Sequence, residues 1–286
     1  VDPGDEVLIP TPYWVTYPAV VRLAGAIPVP VPTEPEDDFK VTVSQLEDAR
    51  GLDTRALVFS SPCNPTGVVY TADELGAIAA WAKEAGIWVV SDEIYEHFVY
   101  PPASFASIAS ASTLERVVVV GGASKTYAMT GWRVGWLLGP PDVVSAAISL
   151  QSHTTFHVNN IAQVAALAAL TGDQSFVAEV RETFDRRRST IVSLLSELPG
   201  FSVQEPFGAF YAFPDVMALI DHDLGGTHID SSDDLANALL AQAAVAVVPG
   251  EAFGAPGFLR FSYALADRDL IRGMGRLAKL LDGLER

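Results

Sequence analysis

Short apolar runs alternate with helical periods through the first half of the chain. Strands are predicted at Glu6–Ile9, Ile27–Val31, Ala56–Ser60, Trp88–Ser91, Val117–Gly121 and Val134–Leu138. Between them, apolar positions recurring every three to four residues predict helices near Val15–Ala24, Val43–Arg50 and Ala72–Ala85. Thr71 with Glu74 three residues later is a capping-box pattern for the last of these. Strands that alternate with helices imply an α/β architecture, a mostly parallel sheet sandwiched by helices. Val118-Val119-Val120, apolar throughout, suits a central strand buried on both faces.

After Leu138 the texture changes. Long helical stretches follow near Asp142–Leu150, Ile161–Leu170 and Phe176–Leu198, then strands near Ala209–Phe213, Val245–Val248 and Leu259–Tyr263. Helices near Asp233–Ala244 and Asp267–Leu284 complete a pattern that reads as a smaller C-terminal α+β domain. The expected division is a large domain over residues 1–178 and a small one over 179–286. No internal repeat or low-complexity linker interrupts the chain. The acidic Glu34–Asp38 stretch reads as a solvated loop, and the basic cluster Arg186–Arg188 as a solvated helix face.

Composition narrows the partners. The chain has 286 residues, enough for two domains with real cores, and a net charge of -17. That balance argues against a nucleic-acid partner, which calls for clustered Lys and Arg. No apolar run reaches the roughly 18–20 residues a membrane helix needs. Cys63 is the only cysteine, so no intrachain disulfide can form, and a reducing, cytoplasmic setting is expected. The chain opens at Val1 on what reads as the middle of a domain, so a further segment is expected upstream.

Ligand sites in open α/β sheets gather at the carboxyl ends of strands. Here Ala56–Ser60 leads into Ser61-Pro62-Cys63-Asn64-Pro65-Thr66-Gly67, Trp88–Val90 into Ser91-Asp92-Glu93-Ile94-Tyr95, and Val117–Val120 into Gly121-Gly122-Ala123-Ser124-Lys125. Lysine is scarce: besides Lys125 there are only Lys40, Lys83 and Lys279. Lys83 and Lys279 fall in amphipathic helices, whereas Lys125 follows a buried strand through a turn of small residues. Such a lysine is desolvated, which lowers its pKa and makes it a nucleophile. From position alone it is equally a structural or phosphate-binding lysine. Asp92 favours the nucleophile, because a Schiff-base lysine in a pyridoxal 5'-phosphate (PLP) enzyme works with an acid at the pyridine nitrogen. Alone, Asp92 is also readable as a helix cap. The phosphate-binding loop, the Gly-rich dinucleotide fingerprint, the G-x-S-x-G elbow and the H-E-x-x-H pair are all missing. The five histidines show no metal-site spacing.

At these residues the chain resembles the class I/II aminotransferases of PLP fold type I, most of all the bacterial aspartate aminotransferases that open this region with Pro-Tyr-Trp. The resemblance rests on Asn64-Pro65-Thr66-Gly67, Ser91-Asp92-Glu93-Ile94-Tyr95 and the run from Ser124 to Gly135. It continues through Gly208-Ala209-Phe210-Tyr211, the Val248–Gly254 segment and Arg260-Phe261-Ser262-Tyr263-Ala264. It implies that Lys125 carries PLP as a Schiff base and that Asp92 pairs with the pyridine nitrogen. Tyr95 and Asn64 would hydrogen-bond the 3'-oxygen, Arg133 would bind the phosphate, and Trp14 would stack on the ring. Arg260 would grip the substrate α-carboxylate, an explanation for a guanidinium inside an apolar strand. Many relatives carry a phosphate-binding serine three residues before the lysine; here that position is Gly122, and Ser124 is the candidate substitute. Thr11-Pro12 and Asn64-Pro65 match positions where relatives use cis peptide bonds.

The implied activity moves an amino group between an L-amino acid, with aspartate the expected donor, and a 2-oxo acid, with 2-oxoglutarate the expected acceptor. In it the substrate amine displaces Lys125, which then serves as general base, and the two half-reactions give ping-pong kinetics. The resemblance also implies a homodimer. The family's upstream part supplies a Gly-rich helix N-terminus for the phosphate and a tyrosine lent across the dimer, so these 286 residues alone are expected to bind PLP weakly. Two other readings share the same cofactor residues: a fold type I lyase, and a non-catalytic PLP-binding domain.

Overall fold

The computed structural model describes residues 1–112 and 115–282. Six strands form the main sheet: β1 (Glu6–Pro10), β2 (Ile27–Val31), β3 (Thr54–Ser60), β4 (Trp88–Asp92), β5 (Val117–Gly122) and β6 (Gly135–Leu138). Their order is β2-β1-β3-β4-β5-β6. The first five are mutually parallel and β6 runs antiparallel to β5. Connections between parallel strands cross over through α1 (Thr16–Leu23), α2 (Val43–Ala49), α3 (Ala72–Ala85) and α4 (Ile108–Ala111), while one-turn α5 (Ala123–Thr126) follows β5.

The period of two along each strand divides the core. Leu8, Leu57, Phe59, Val89, Val117 and Val119 point to one face, where they pack on Leu75, Ile78 and Trp81 of α3. Val7, Ile9 and Ala56 point the other way, onto Tyr17 and Val21 of α1. Both halves of the predicted capping box form: Thr71 accepts from the Glu74 N–H, and the Glu74 side chain accepts from the Thr71 N–H. Gly86, at φ 72°, ends α3 in the left-handed conformation that glycine adopts without a Cβ penalty.

Three further helices, α6 (Pro141–Thr154), α7 (Asn160–Thr171) and α8 (Ser175–Ser196), lead into a second core. Helix α8 serves both regions. Val180 and Phe184 pack on Phe98 and Tyr100, whereas Ile191 and Leu195 enter the C-terminal core. That core gathers β7 (Tyr211–Ala212), the hairpin β8 (His222–Leu224) and β9 (Thr227–Ile229), α9 (Ser232–Ala243), β10 (Val248–Pro249), β11 (Leu259–Ser262) and α10 (Asp267–Leu281). Its sheet is antiparallel, in the order β10-β11-β7. Helix α10 commits Leu270, Met274, Leu277 and Leu281 to it at helical spacing. The outer faces of α6 and α7 carry apolar side chains in solvent, among them Ile148, Leu150, Ile161, Val164 and Leu167.

Several expectations need correction. The Arg186–Arg188 cluster is not a uniform solvated face. Arg186 and Arg187 both pair with Asp267 at the start of α10, and Arg188 is buried. Arg188 pairs with Asp185 and Glu205, donates to the Pro206 carbonyl and lies over the Tyr100 and Phe207 rings. A helix-surface count cannot anticipate a loop returning from residues 205–207. The strand expected at Val245–Val248 shrinks to Val248–Pro249, because the left-handed Ala244 turns the chain and the Val245 N–H still bonds back to Leu239. The strand expected at Ala209–Phe213 begins only at Tyr211, after a left-handed Ala209. The β8–β9 hairpin has no counterpart in the hydrophobic pattern; its turn is Gly225-Gly226, both at positive φ. The end of the helix expected at Asp267–Leu284 lies outside the described residues. Thr11-Pro12 and Asn64-Pro65 are cis, as expected, and so are Ser61-Pro62 and Pro101-Pro102. Among the described residues no single helix is long and apolar enough to cross a membrane.

Candidate active site

The carboxyl ends of β1, β3, β4 and β5 open onto one rim, and the antiparallel sheet of the C-terminal region faces it. Between them lies a cavity of about 600 Å³. Its lining includes all eight side chains singled out from the sequence: Trp14, Asn64, Asp92, Tyr95, Ser124, Lys125, Arg133 and Arg260. The cavity also admits Tyr17, Ser60, Thr130 and Tyr211, which the sequence reading did not assign to the site.

Lys125 sits on α5, directly beyond buried β5. Its Nζ lies 5.8 Å from the ring centres of both Tyr95 and Phe210. Burial lowers its pKa, the Arg260 charge lowers it further, and Asp92 opposes both. The result is an amine that loses its proton more readily than a surface lysine, as a nucleophile requires.

Asp92 ends β4 with its two carboxylate oxygens differently engaged. Oδ1 accepts the Ile94 N–H at 3.1 Å, which is the capping contact that position allows. Oδ2 accepts the Tyr17 hydroxyl at 2.8 Å from α1, which packs against β1 and β3. Burial raises the Asp92 pKa against the pull of Tyr17, the Ile94 N–H and Lys125. Asp92 has no ion-pair partner among the described residues. It is therefore more than a cap: a half-buried carboxylate lines the cavity with its geometry fixed from two directions. Tyr17 follows Trp14 by three residues, and that spacing was its available signal.

Arg260 comes from β11 and reaches across to the large sheet. It donates to Asn64 Oδ1 at 2.8 Å, and its guanidinium lies 4.5 Å from the Tyr211 ring centre and 5.0 Å from that of Phe253. Among the described residues its buried Nε has no hydrogen-bond partner. A buried donor left short of an acceptor is costly, and a bound carboxylate would supply one. Tyr95 shares a 2.9 Å hydrogen bond with Tyr211, and burial pushes its pKa far up.

On the opposite wall, Arg133 is exposed, adopts the left-handed conformation at φ 57°, and among the described residues donates within its own loop, to the Thr130 carbonyl. Ser124 lies beside it in the cavity lining. A Cβ on Gly122 would come 3.0 Å from the Val134 carbonyl oxygen and 3.1 Å from Ile94 Cδ1, so the backbone there leaves little room for a serine. Trp14 stands at the mouth, 39% exposed, with its ring edge-on to Tyr17 at 5.5 Å. Elsewhere, the β8–β9 region brings exposed Asp221, His228 and Asp230 together, a grouping that histidine spacing did not suggest.

These residues suit PLP on the structure's own terms: a half-buried carboxylate for a protonated ring nitrogen, a lysine with a lowered pKa, an arginine with an unfilled donor, and an exposed arginine at the rim. The comparisons agree. The family Aminotransferase class I and II matches residues 1–277, and the chain belongs to that family. It is a PLP-dependent aminotransferase with the PLP fold type I architecture. It is 54% identical to an aspartate aminotransferase of Streptomyces avermitilis over 282 residues, which cover 98% of this chain and 69% of the relative. An aspartate/prephenate aminotransferase of Cereibacter sphaeroides is 43% identical, covering 99% of this chain and 72% of its own. Among solved structures, the aspartate aminotransferase from Rhizobium meliloti superposes with a TM-score of 0.95 at 37% identity, covering all of this chain and 72% of that one.

Proposed function

We propose that this aminotransferase takes the amino group of L-aspartate and delivers it to 2-oxoglutarate, with the cavity residues in the roles that follow. The observation that carries this reading is the convergence of Lys125, Asp92 and Arg260 on one cavity from three separate elements. The choice of donor rests on the aspartate aminotransferases named above.

When bound, PLP supplies an electron sink conjugated to the substrate α-carbon. Lys125 would hold it covalently, and its amine, when free, would carry the substrate α-proton. A pKa lowered by burial makes it a readier base than a surface lysine. Asp92 holds the proton on the ring nitrogen. Its burial makes the charge effective, and the Tyr17 and Ile94 hydrogen bonds keep the carboxylate from turning away. Asn64 and Tyr95 would hold the 3'-oxygen, Trp14 would stack on the ring, and Arg133 with Ser124 would take the phosphate. Arg260 offers its fork to the α-carboxylate, with Asn64 fixing one arm. Residues 1–178 form the cofactor-binding domain and 179–286 the domain that brings Arg260, so the boundary falls in the first turn of α8. The apolar outer faces of α6 and α7 support a homodimer, and the single cysteine supports a cytoplasmic setting.

Borohydride reduction of the PLP-loaded protein, followed by peptide mapping, is expected to place the label on Lys125. A separate, unreduced sample of the PLP-loaded protein should convert aspartate and 2-oxoglutarate without releasing ammonia. A label on Lys40, Lys83 or Lys279, or ammonia as the nitrogen product, would overturn the proposal.

A further inference from the structure

Tyr211 belongs to none of the roles above, yet it touches two of the residues that hold them. It lies in β7, paired with Ser262 of β11, and follows the left-handed turn at Ala209. The turn is pinned to the large domain. The Ala209 N–H bonds to the Phe98 carbonyl, and the Ala209 carbonyl accepts from the Tyr100 and Tyr263 hydroxyls. Thus held, Tyr211 is buried, with its ring beneath the Arg260 guanidinium and its hydroxyl 2.9 Å from that of Tyr95. Among the described residues, this is the hydrogen bond its hydroxyl makes.

A hydroxyl pair has one shared proton, and either oxygen can donate. The assignment of Tyr95 to the cofactor's 3'-oxygen removes the ambiguity, since the Tyr95 proton is then committed to that oxygen. Tyr211 must be the donor to Tyr95. Donation into a hydroxyl polarises it and makes it a stronger donor in turn, because hydrogen bonds in a chain strengthen one another in a low-dielectric interior. Burial keeps the Tyr95 proton in place, pushing its pKa well above the usual tyrosine value.

We infer that Tyr211 is a positioning residue that donates its hydroxyl proton to Tyr95 and so directs and strengthens the Tyr95 hydrogen bond to the cofactor's 3'-oxygen. The inference rests on the cofactor reading of the site. It makes the small domain contribute to the electronics of the cofactor, as well as to the grip on the substrate through Arg260.

The experiment uses the PLP-loaded protein and follows its visible absorbance against pH. Hydrogen bonds to the 3'-oxygen stabilise its anionic form, in which the lysine–cofactor linkage has lost its proton, so weakening them raises the midpoint. Tyr211→Phe keeps the ring, its packing under Arg260 and the β7 pairing, and removes one hydroxyl. Its midpoint should rise by roughly 0.3–1 pH unit, the range set by one modest hydrogen bond. KM for the amino-acid donor should stay near the wild-type value, because the Arg260 stack is retained. Tyr95→Phe should raise the midpoint further, and the double variant should match Tyr95→Phe alone, since Tyr211 acts only through Tyr95. An unchanged midpoint in Tyr211→Phe, or a double variant shifted beyond Tyr95→Phe, would overturn the assignment of Tyr211. A change in KM and thermal midpoint without one in the titration would reduce Tyr211 to packing. If the wild-type protein shows no protein-bound visible band even at saturating PLP, the cofactor reading fails instead, which the same titration distinguishes.

Discussion

Asp92 shows at the scale of one residue how a site is maintained against stability. Its folded pKa is raised by burial above the ordinary value of about 3.9. A raised pKa means that the ionised carboxyl disfavours the fold. The stability from this group is fully present below about pH 3.9 and is lost as pH rises through the folded value. Without cofactor, Asp92→Asn should therefore unfold at a higher temperature than wild type near neutral pH, and the gap should close toward pH 3.9. Each kcal/mol relieved is worth about 2–4 °C at roughly this chain length. The same substitution should cost roughly 10³-fold in turnover, because the charge opposite the ring nitrogen is gone. Melting curves across pH and steady-state rates on one preparation test both halves. A variant with wild-type turnover would reduce Asp92 to the cap it also forms with Ile94.

At the scale of the element, α8 is the piece that holds the two regions in register. Its N-terminal half packs on Phe98 and Tyr100, its C-terminal half enters the second core, and Arg188 lies between. The Arg188 guanidinium is buried, but Asp185 and Glu205 keep part of their surface in water. Removing the arginine therefore strands no fully buried carboxylate, and the loss is mainly of packing between two rings and of the hold on the 205–207 loop. Arg188→Ala should cost about 2 kcal/mol, below the 3–5 kcal/mol of a fully buried pair. Because the same loop leads to Ala209 and Tyr211, the variant should also bind amino-acid donors less well. Denaturant unfolding alongside KM measurements checks this. A destabilised variant with unchanged KM would show that the loop holds its place without Arg188.

At the scale of the molecule, the unpartnered surface is concentrated on α6 and α7. Ile161, Val164 and Leu167 are each at least 60% exposed on a single helix, which is unusual for the surface of a protein that works alone. Sedimentation at micromolar concentration is expected to give a dimer. Val164→Asp combined with Leu167→Asp should give a monomer. A wild-type protein that sediments as a monomer would remove the support these faces lend to the homodimer.

The order of strands and helices was legible because burial on both faces makes β1, β3 and β5 short continuous apolar runs and imposes a period of 3.6 on α3 and α10, and local caps such as Thr71 with Glu74 mark where elements start. The site was legible as far as it lies at strand ends, since a parallel sheet must bring the residues after β3, β4 and β5 to one rim. That is why Asn64, Asp92 and Lys125 could be named together. Contacts between distant segments left no such periodic trace. Tyr17 on Asp92 spans 75 residues and Tyr95 on Tyr211 spans 116, and no local rule of spacing links groups so far apart. Arg188 looked solvated because its burial is created by the loop at residues 205–207, which returns after the helix has ended. The chain's own pattern of apolar and polar residues determined the elements, their order and the rim where chemistry gathers. Only tertiary packing decided which buried hydroxyl meets which charge, because those partners are chosen by proximity in space and by the cost of leaving a buried polar group unpaired.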